Sequence, residues 1–191
     1  MEKILEIRWH GRGGQGAKTA ALLFADAAMS SGQYIQGFPD YGPERMGAPV
    51  QAFNRLSNRP ITIHCGITNP DIVVVLDPTL TAKVNVTSGL PKGGKLIINT
   101  SKSSEEIKKE LGAKDIEVYA IDASKISKET IGRDIPNTPM LGALVKVSGI
   151  MKIDDMLADT KQKLEKKFAS KPEIVKGNLL AIKKAFDEVR S

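Results

Sequence analysis

Cysteine is almost missing from this sequence of 191 residues: Cys65 stands alone. That excludes an intrachain disulfide and, with no CxxC pair, metal or iron–sulfur ligation by this chain by itself. Uninterrupted apolar runs are short, residues 72–76 among them, far below the roughly 18 residues of a membrane span, so a soluble protein is expected. The opening Met1-Glu2-Lys3-Ile4-Leu5-Glu6-Ile7 lacks the apolar core and small-residue cleavage site of a signal peptide, and the expected location is cytoplasmic. No GxSxG, HExxH or paired-carboxylate motif occurs, so the chain offers no complete catalytic apparatus of its own. Aromatic residues make up only 5% of the chain, which counts against base stacking as a binding mode.

What is present is a basic, ordinary globular composition. There are 28 Lys and Arg against 22 Asp and Glu, a net charge of +6, with 41% hydrophobic residues. The cations are dispersed rather than gathered. Lys108-Lys109, Lys166-Lys167 and Lys183-Lys184 sit near Glu105, Glu106, Glu165, Asp187 and Glu188 at helical spacing, which describes solvated helix faces. Neither nucleic acid nor a membrane is therefore an expected partner. The length suits one domain.

Residues 3–9 alternate in the manner of a strand and run into His10-Gly11-Arg12-Gly13-Gly14-Gln15-Gly16. Residues 17–30 follow at helical spacing, with Gly32 as a stop. A second strand is expected at 34–38 and a long loop at 39–47. Residues 49–56 and 60–65 read as two strands of a hairpin at a sheet edge. Asp71-Ile72-Val73-Val74-Val75-Leu76-Asp77, Lys95-Leu96-Ile97-Ile98-Asn99 and residues 116–121 are nearly all apolar without alternation, the pattern of strands buried on both faces of a parallel sheet. Between them, 79–88 is expected to be helical, and 103–111 starts with the capping signal Ser103-Ser104-Glu105-Glu106. Beyond Ile126, residues 140–150, 153–168 and 172–189 all carry helical periodicity. The expected fold is α/β: a doubly wound, mostly parallel sheet with an edge hairpin and a helical C-terminal extension. One domain spans 1–191, with an α/β core at 1–126 and a mainly helical part at 127–191.

Gly11, Gly13 and Gly16 satisfy GxGxxG between a strand and a helix, where amides and the positive helix end can hold a phosphate. Close packing of chains explains the same glycines, and spacing leaves both readings open. No acid precedes Asp40 where a dinucleotide site wants one, which argues against an independent NAD-linked enzyme. Lys18-Thr19 falls two residues beyond Gly16, whereas a nucleotide P-loop places its Lys directly after the last glycine. Tyr41-Gly42-Pro43-Glu44-Arg45-Met46-Gly47-Ala48-Pro49 is rich in rigid and charged residues. Glu44 and Arg45 read most simply as a solvent-exposed pair, with anion or partner binding by Arg45 as the alternative. His10 has no partner at a spacing that implies proton transfer. His64 beside Cys65 is a poor metal site, and Trp9 reads as core. In the third segment, 134–144, Asn137 or Thr138 is expected to cap a helix with Pro139 in its first turn, and Gly142-Ala143 allows close backbone approach.

Taken together and in order, Ile7-Arg8-Trp9-His10-Gly11-Arg12-Gly13-Gly14-Gln15-Gly16-Ala17, Phe38-Pro39-Asp40-Tyr41-Gly42-Pro43-Glu44-Arg45-Met46-Gly47-Ala48-Pro49 and Ile135-Pro136-Asn137-Thr138-Pro139-Met140-Leu141-Gly142-Ala143-Leu144 resemble the gamma subunit of 2-oxoacid:ferredoxin oxidoreductases over essentially the whole chain. Trp9-His10 and the third segment look most like the pyruvate branch. Met46 departs from the family, which often has a second basic residue there.

The resemblance implies oxidative decarboxylation of pyruvate with coenzyme A to acetyl-CoA and carbon dioxide, with reduction of ferredoxin, or the reverse. It also implies alpha, beta and delta subunits as partners. Thiamine diphosphate, magnesium and iron–sulfur clusters are held elsewhere in such a complex, and none by this chain alone. On this reading Arg12, Gly13, Gly14, Gln15 and Gly16 contact coenzyme A. Tyr41, Glu44, Arg45, Asn137, Thr138 and Met140 meet other subunits, and no residue is catalytic. The alternatives are a free-standing nucleotide- or coenzyme-binding module, or a gamma subunit acting on 2-oxoglutarate or a branched-chain 2-oxoacid.

Overall fold

Strand β1, Leu5–Arg12, lies at the middle of a six-stranded sheet whose order is β2-β3-β1-β4-β5-β6 in the computed structural model, which describes residues 4–40 and 47–191. The apolar runs form the parallel half: β4 (Ile72–Val75), β5 (Lys95–Asn99) and β6 (Glu117–Ile121) stack beside β1 in the same direction. On the other side β3 (Pro49–Ser57) pairs antiparallel with β1, and β2 (Tyr34–Asp40) pairs antiparallel with β3. On the outer edge of β6 a single antiparallel bridge joins Ala120 to Arg190.

Alternation divides β1 between two faces. Ile7 and Trp9 enter the larger core with Phe24 of α1 (Ala17–Ser30) and with Met140, Leu141 and Leu144 of α4 (Asn137–Ser148). Trp9 is fully buried, and its indole Nε1 donates to Asn54 Oδ1 at 2.8 Å, which satisfies the one polar atom it carries inside. Burying so large a ring contributes about 2–3 kcal/mol. On the opposite face Val73, Val75, Leu96, Ile98 and Val118 pack with Ile107 of α2 (Ser104–Leu111), so both faces of the parallel half are covered. The capping box read from the sequence is present, Ser103 and Glu106 satisfying each other's backbone amides.

The helices after residue 121 form a layer on the first face. They are α3 (Ala123–Ile131), α4, α5 (Ile153–Lys167) and α6 (Pro172–Glu188). Helix α3 crosses the expected boundary at 126, and α4 is buried along nearly its whole length, so this part shares the sheet's core. Gly142 is where α4 and α6 touch: a Cβ there would lie 1.9 Å from the Ile182 carbonyl oxygen.

Three local expectations are corrected. The hairpin partner of β3 is β2, and 60–65 lies outside the sheet. Its backbone acceptors go to a side chain, since the buried Arg55 donates from Nη1 to the Ile63 carbonyl and from Nη2 to that of Cys65. Residues 79–88 hold one short 3-10 helix, Pro78–Ala82, followed by turns. There Arg8 draws in the Val86 and Ser88 carbonyls, which a helix would direct along its own axis. Finally, neither Asn137 nor Thr138 caps α4; the cap position is Pro136, with no side-chain cap. Both side chains are buried instead, and Thr138 Oγ1 donates to Asn178 Oδ1 of α6 at 3.0 Å.

Candidate functional site

The chain leaves β1 through α1 toward β2 and β3, and leaves β4 toward β5 and β6. The carboxyl ends of β1 and β4 therefore flank the topological switch point, where open α/β sheets form a ligand crevice. The glycine turn, 12–16, sits there. Gly14 and Gly16 have φ of 96° and 81°, left-handed values that a side chain would resist.

This turn joins the three sequence segments. Gly13 donates its amide to the Ala48 carbonyl at 2.9 Å, and Gly47 donates to the Gly13 carbonyl at 3.2 Å, so the end of the second segment is stitched to the first. The third segment arrives through Asn137: a Cβ on Gly16 would lie 2.6 Å from Asn137 Nδ2. Both α1 and α4 therefore begin at this point, with their positive ends turned to the same crevice. Asn137 is 7% exposed, and its Oδ1 has no hydrogen-bond partner. A buried acceptor left unsatisfied costs about 1–3 kcal/mol and marks a place for a donor.

Arg12 does not project into the crevice as a free cation. Its Nε donates to Asp77 Oδ2 at 2.7 Å, Nη1 to the Gly47 carbonyl at 3.1 Å and Nη2 to Thr79 Oγ1 at 2.7 Å. Gln15 completes the arrangement: its Oε1 accepts from the Arg12 amide and its Nε2 donates to the same Asp77 oxygen. Asp77 also accepts from the Thr79 amide and hydroxyl. Burial pushes the Asp77 carboxyl up, but bonds from Thr79, Gln15 and Arg12 outweigh it and hold the group below its ordinary range.

Asp77→Ala strands Arg12 and Gln15 and is expected to lower stability by about 2 kcal/mol, with D77N losing about half as much. Urea unfolding at neutral pH measures both, and unchanged midpoints would refute the latch. Because the carboxyl pKa is depressed on folding, this contribution is full above the ordinary carboxylate range and disappears as pH falls through the folded value.

Asp77 and Thr79 were not singled out in the sequence. Their signal is Asp77-Pro78 directly after a buried β run, a cap residue followed by a first-turn proline. Met140 is fully buried in the core, and Thr138 bonds within the chain, so neither presents a free surface to another subunit in this structure. Tyr41, Glu44 and Arg45 lie outside the described residues.

His10 lies on the other face of β1, 3% exposed, with Nε2 accepting from Arg8 Nε at 3.0 Å. That bond puts the ring proton on Nδ1. Burial first, and the charge of Arg8 second, push the imidazole down to about 4. At neutral pH it is a fixed acceptor, so it does not shuttle protons. His64 and Cys65 are exposed on the 60–66 segment. Among the described residues no group of three His, Cys, Asp or Glu stands close enough to hold a metal ion, and no helix is long and apolar enough to cross a membrane.

Residues 6–188 match the family described as pyruvate ferredoxin/flavodoxin oxidoreductase. The chain is 42% identical to pyruvate synthase subunit PorC of Thermotoga maritima over 99% of its own length and 96% of that protein. It is 45% identical to the pyruvate/ketoisovalerate oxidoreductases common subunit gamma of Thermococcus litoralis, over 97% of each. The crystal structure of the Thermotoga maritima pyruvate oxidoreductase subunit PORC superposes with a TM-score of 0.85 at 41% identity, covering 99% of this chain and 98% of that one. With matches of this extent, the chain belongs to the pyruvate ferredoxin/flavodoxin oxidoreductase family.

Proposed function

We propose that this chain is the gamma subunit of a cytoplasmic pyruvate:ferredoxin oxidoreductase, the complex that cleaves pyruvate with coenzyme A to acetyl-CoA and carbon dioxide and passes the electrons to ferredoxin, or runs in reverse. The observation that carries this reading is the full-length match to pyruvate synthase subunit PorC. Alpha, beta and delta subunits hold thiamine diphosphate, magnesium and the iron–sulfur clusters. This chain's single cysteine does not supply the several thiolates an iron–sulfur cluster needs. Its part is to close the complex and to offer the switch-point crevice to coenzyme A.

Within the crevice the roles differ from those implied by the motif. Arg12 is neutralised by Asp77 and acts by holding the glycine turn in shape. The groups that meet the coenzyme are the turn at Gly13, Gly14 and Gly16 and the amino ends of α1 and α4, with the buried Asn137 amide packed behind Gly16 as the side chain that positions the turn. The relative of Thermococcus litoralis is named as common to a pyruvate and a ketoisovalerate oxidoreductase. A shared gamma subunit leaves the choice of 2-oxoacid to other chains, and the same division of labour is proposed here.

The complex purified through a tag on this chain is expected to contain thiamine- and cluster-bearing subunits and to reduce ferredoxin in the presence of pyruvate and coenzyme A. A chain recovered alone and inactive from cells that express it normally would favour a free-standing binding module. In the active complex, Asn137→Ala is expected to raise the KM for coenzyme A about tenfold, the equivalent of about 1.4 kcal/mol, and to leave the KM for pyruvate unchanged. Arg12→Ala should act in the same direction. Equal loss for both substrates, or none, would sink the coenzyme role.

A further inference from the structure

Among the described residues no helix covers the face of β1, β3 and β2 opposite α1, and residues 60–70 and 84–90 run across its margin instead. Between them and the sheet opens a cleft lined by Arg8, Phe38, Asp40, Gln51, Phe53, His64, Thr68 and Ser88. Arg8 forms its floor and is 6% exposed. A guanidinium carries five N–H donors, and three are accounted for: Nε to His10, and Nη2 to the Val86 and Ser88 carbonyls. Nη1 makes no hydrogen bond among the described residues, and Arg8 lines the cleft.

Among the described residues no carboxylate pairs with Arg8. Glu6, two residues away on the same face, is taken by Arg55 at 2.7 Å, and His10 is a neutral acceptor. A nearly buried cation held only by dipoles is costly, and proteins ordinarily give such a charge a counter-ion. We infer that this cleft is a carboxylate-binding site in which Arg8 Nη1 receives the anion.

The lining sets the class of ligand. One unpaired cation, with the neutral side chains of Gln51, Thr68 and Ser88 around it, matches a single negative charge. Asp40 at the rim repels a dianion such as phosphate. Phe38 and Phe53, with ring centroids 5.3 Å apart, give one wall an apolar surface for the carbon body behind the carboxylate. The carboxylate comes either from a free organic acid or from an acidic side chain of a neighbouring subunit. This site is separate from the switch-point crevice and does not depend on the coenzyme reading.

Thermal unfolding of the full chain in acetate, against chloride at equal ionic strength, tests the first source. The midpoint is expected to rise by several degrees at high acetate in the wild type and to stay fixed in Arg8→Gln. Gln51→Glu places a carboxylate on the cleft wall; it is expected to raise the midpoint without acetate and abolish the response, and it keeps the test intact should Arg8→Gln fail to fold. For the second source, acetate has no effect on the free chain, but Gln51→Glu weakens its assembly with the other subunits at least tenfold by native mass spectrometry. Stronger protection by phosphate than by acetate would overturn the carboxylate assignment. A Gln51→Glu chain that assembles like wild type, from a wild type that ignores acetate, would overturn the site itself.

Discussion

Gly142→Val is expected to leave little folded protein at physiological temperature, and Gly142→Ala to cost about 3 kcal/mol. A Cβ at this position would lie 1.9 Å from the Ile182 carbonyl oxygen, 2.9 Å from its carbon and 3.0 Å from the Phe186 amide nitrogen. All three atoms are α6 backbone, so no rotamer change relieves the clash and the two helices must separate. Between them lie Met140, Leu141, Ala143, Ala181, Ile182 and Ala185, all buried, and a parting of even a fraction of an ångström loses dispersion contact along the whole seam. Urea unfolding of Gly142→Ala beside Gly66→Ala makes the comparison. Gly66 has nothing within 4 Å of its would-be Cβ, so its variant should stay within about 0.5 kcal/mol of wild type. Equal midpoints for the two variants would refute the tight α4–α6 crossing.

Stability is expected to fall by about 2 kcal/mol between pH 7 and pH 5, with His10 responsible. The folded imidazole is held near 4 against an ordinary value of 6.5, by burial and by the adjacent Arg8 charge. Below pH 6.5 the unfolded chain takes up a proton that the folded chain refuses, so stability declines until the folded value is reached and then levels off. Protonation inside would turn the acceptor of the Arg8 bond into a second cation beside the first. The depressed carboxyls of Asp77, Glu106, Glu129 and Asp134 lose their contributions only at lower pH, which leaves this window to the histidine. His10→Gln keeps an acceptor for Arg8 and removes the titration. Its urea midpoint should be flat over the same range, and a slope equal to wild type would refute the assignment.

The parallel strands were legible because β4 and β5 are buried on both faces, and a run such as Ile72-Val73-Val74-Val75 admits few other readings. The capping box of α2 was legible because its chemistry is local. Residues 60–65 were misread for the converse reason. Pro60-Ile61-Thr62-Ile63-His64-Cys65 has strand composition, but its backbone acceptors are claimed by Arg55, a side chain on a strand whose orientation depends on register. Asn137 was singled out as a cap, and the structure instead sets it against Gly16, a contact that exists only once α1 and α4 are packed. The glycine turn was found at once, while its fastening to Asp77 was not, since that bond spans two strands that become neighbours only in the sheet. Local chemistry was readable, and pairings across the sheet were not.

The bridge between Ala120 and Arg190 also bears on how the chain is made. Strand β6 leaves the ribosome before α3, α4, α5 and α6, so the outward amide and carbonyl of Ala120 wait unpaired through the synthesis of all four helices. An open strand edge is the surface on which partly made chains join one another. The nascent protein is most exposed to misassembly late in translation, when the sheet is complete but its β6 edge is still open, and a slow stretch of codons after α6 would lengthen that interval.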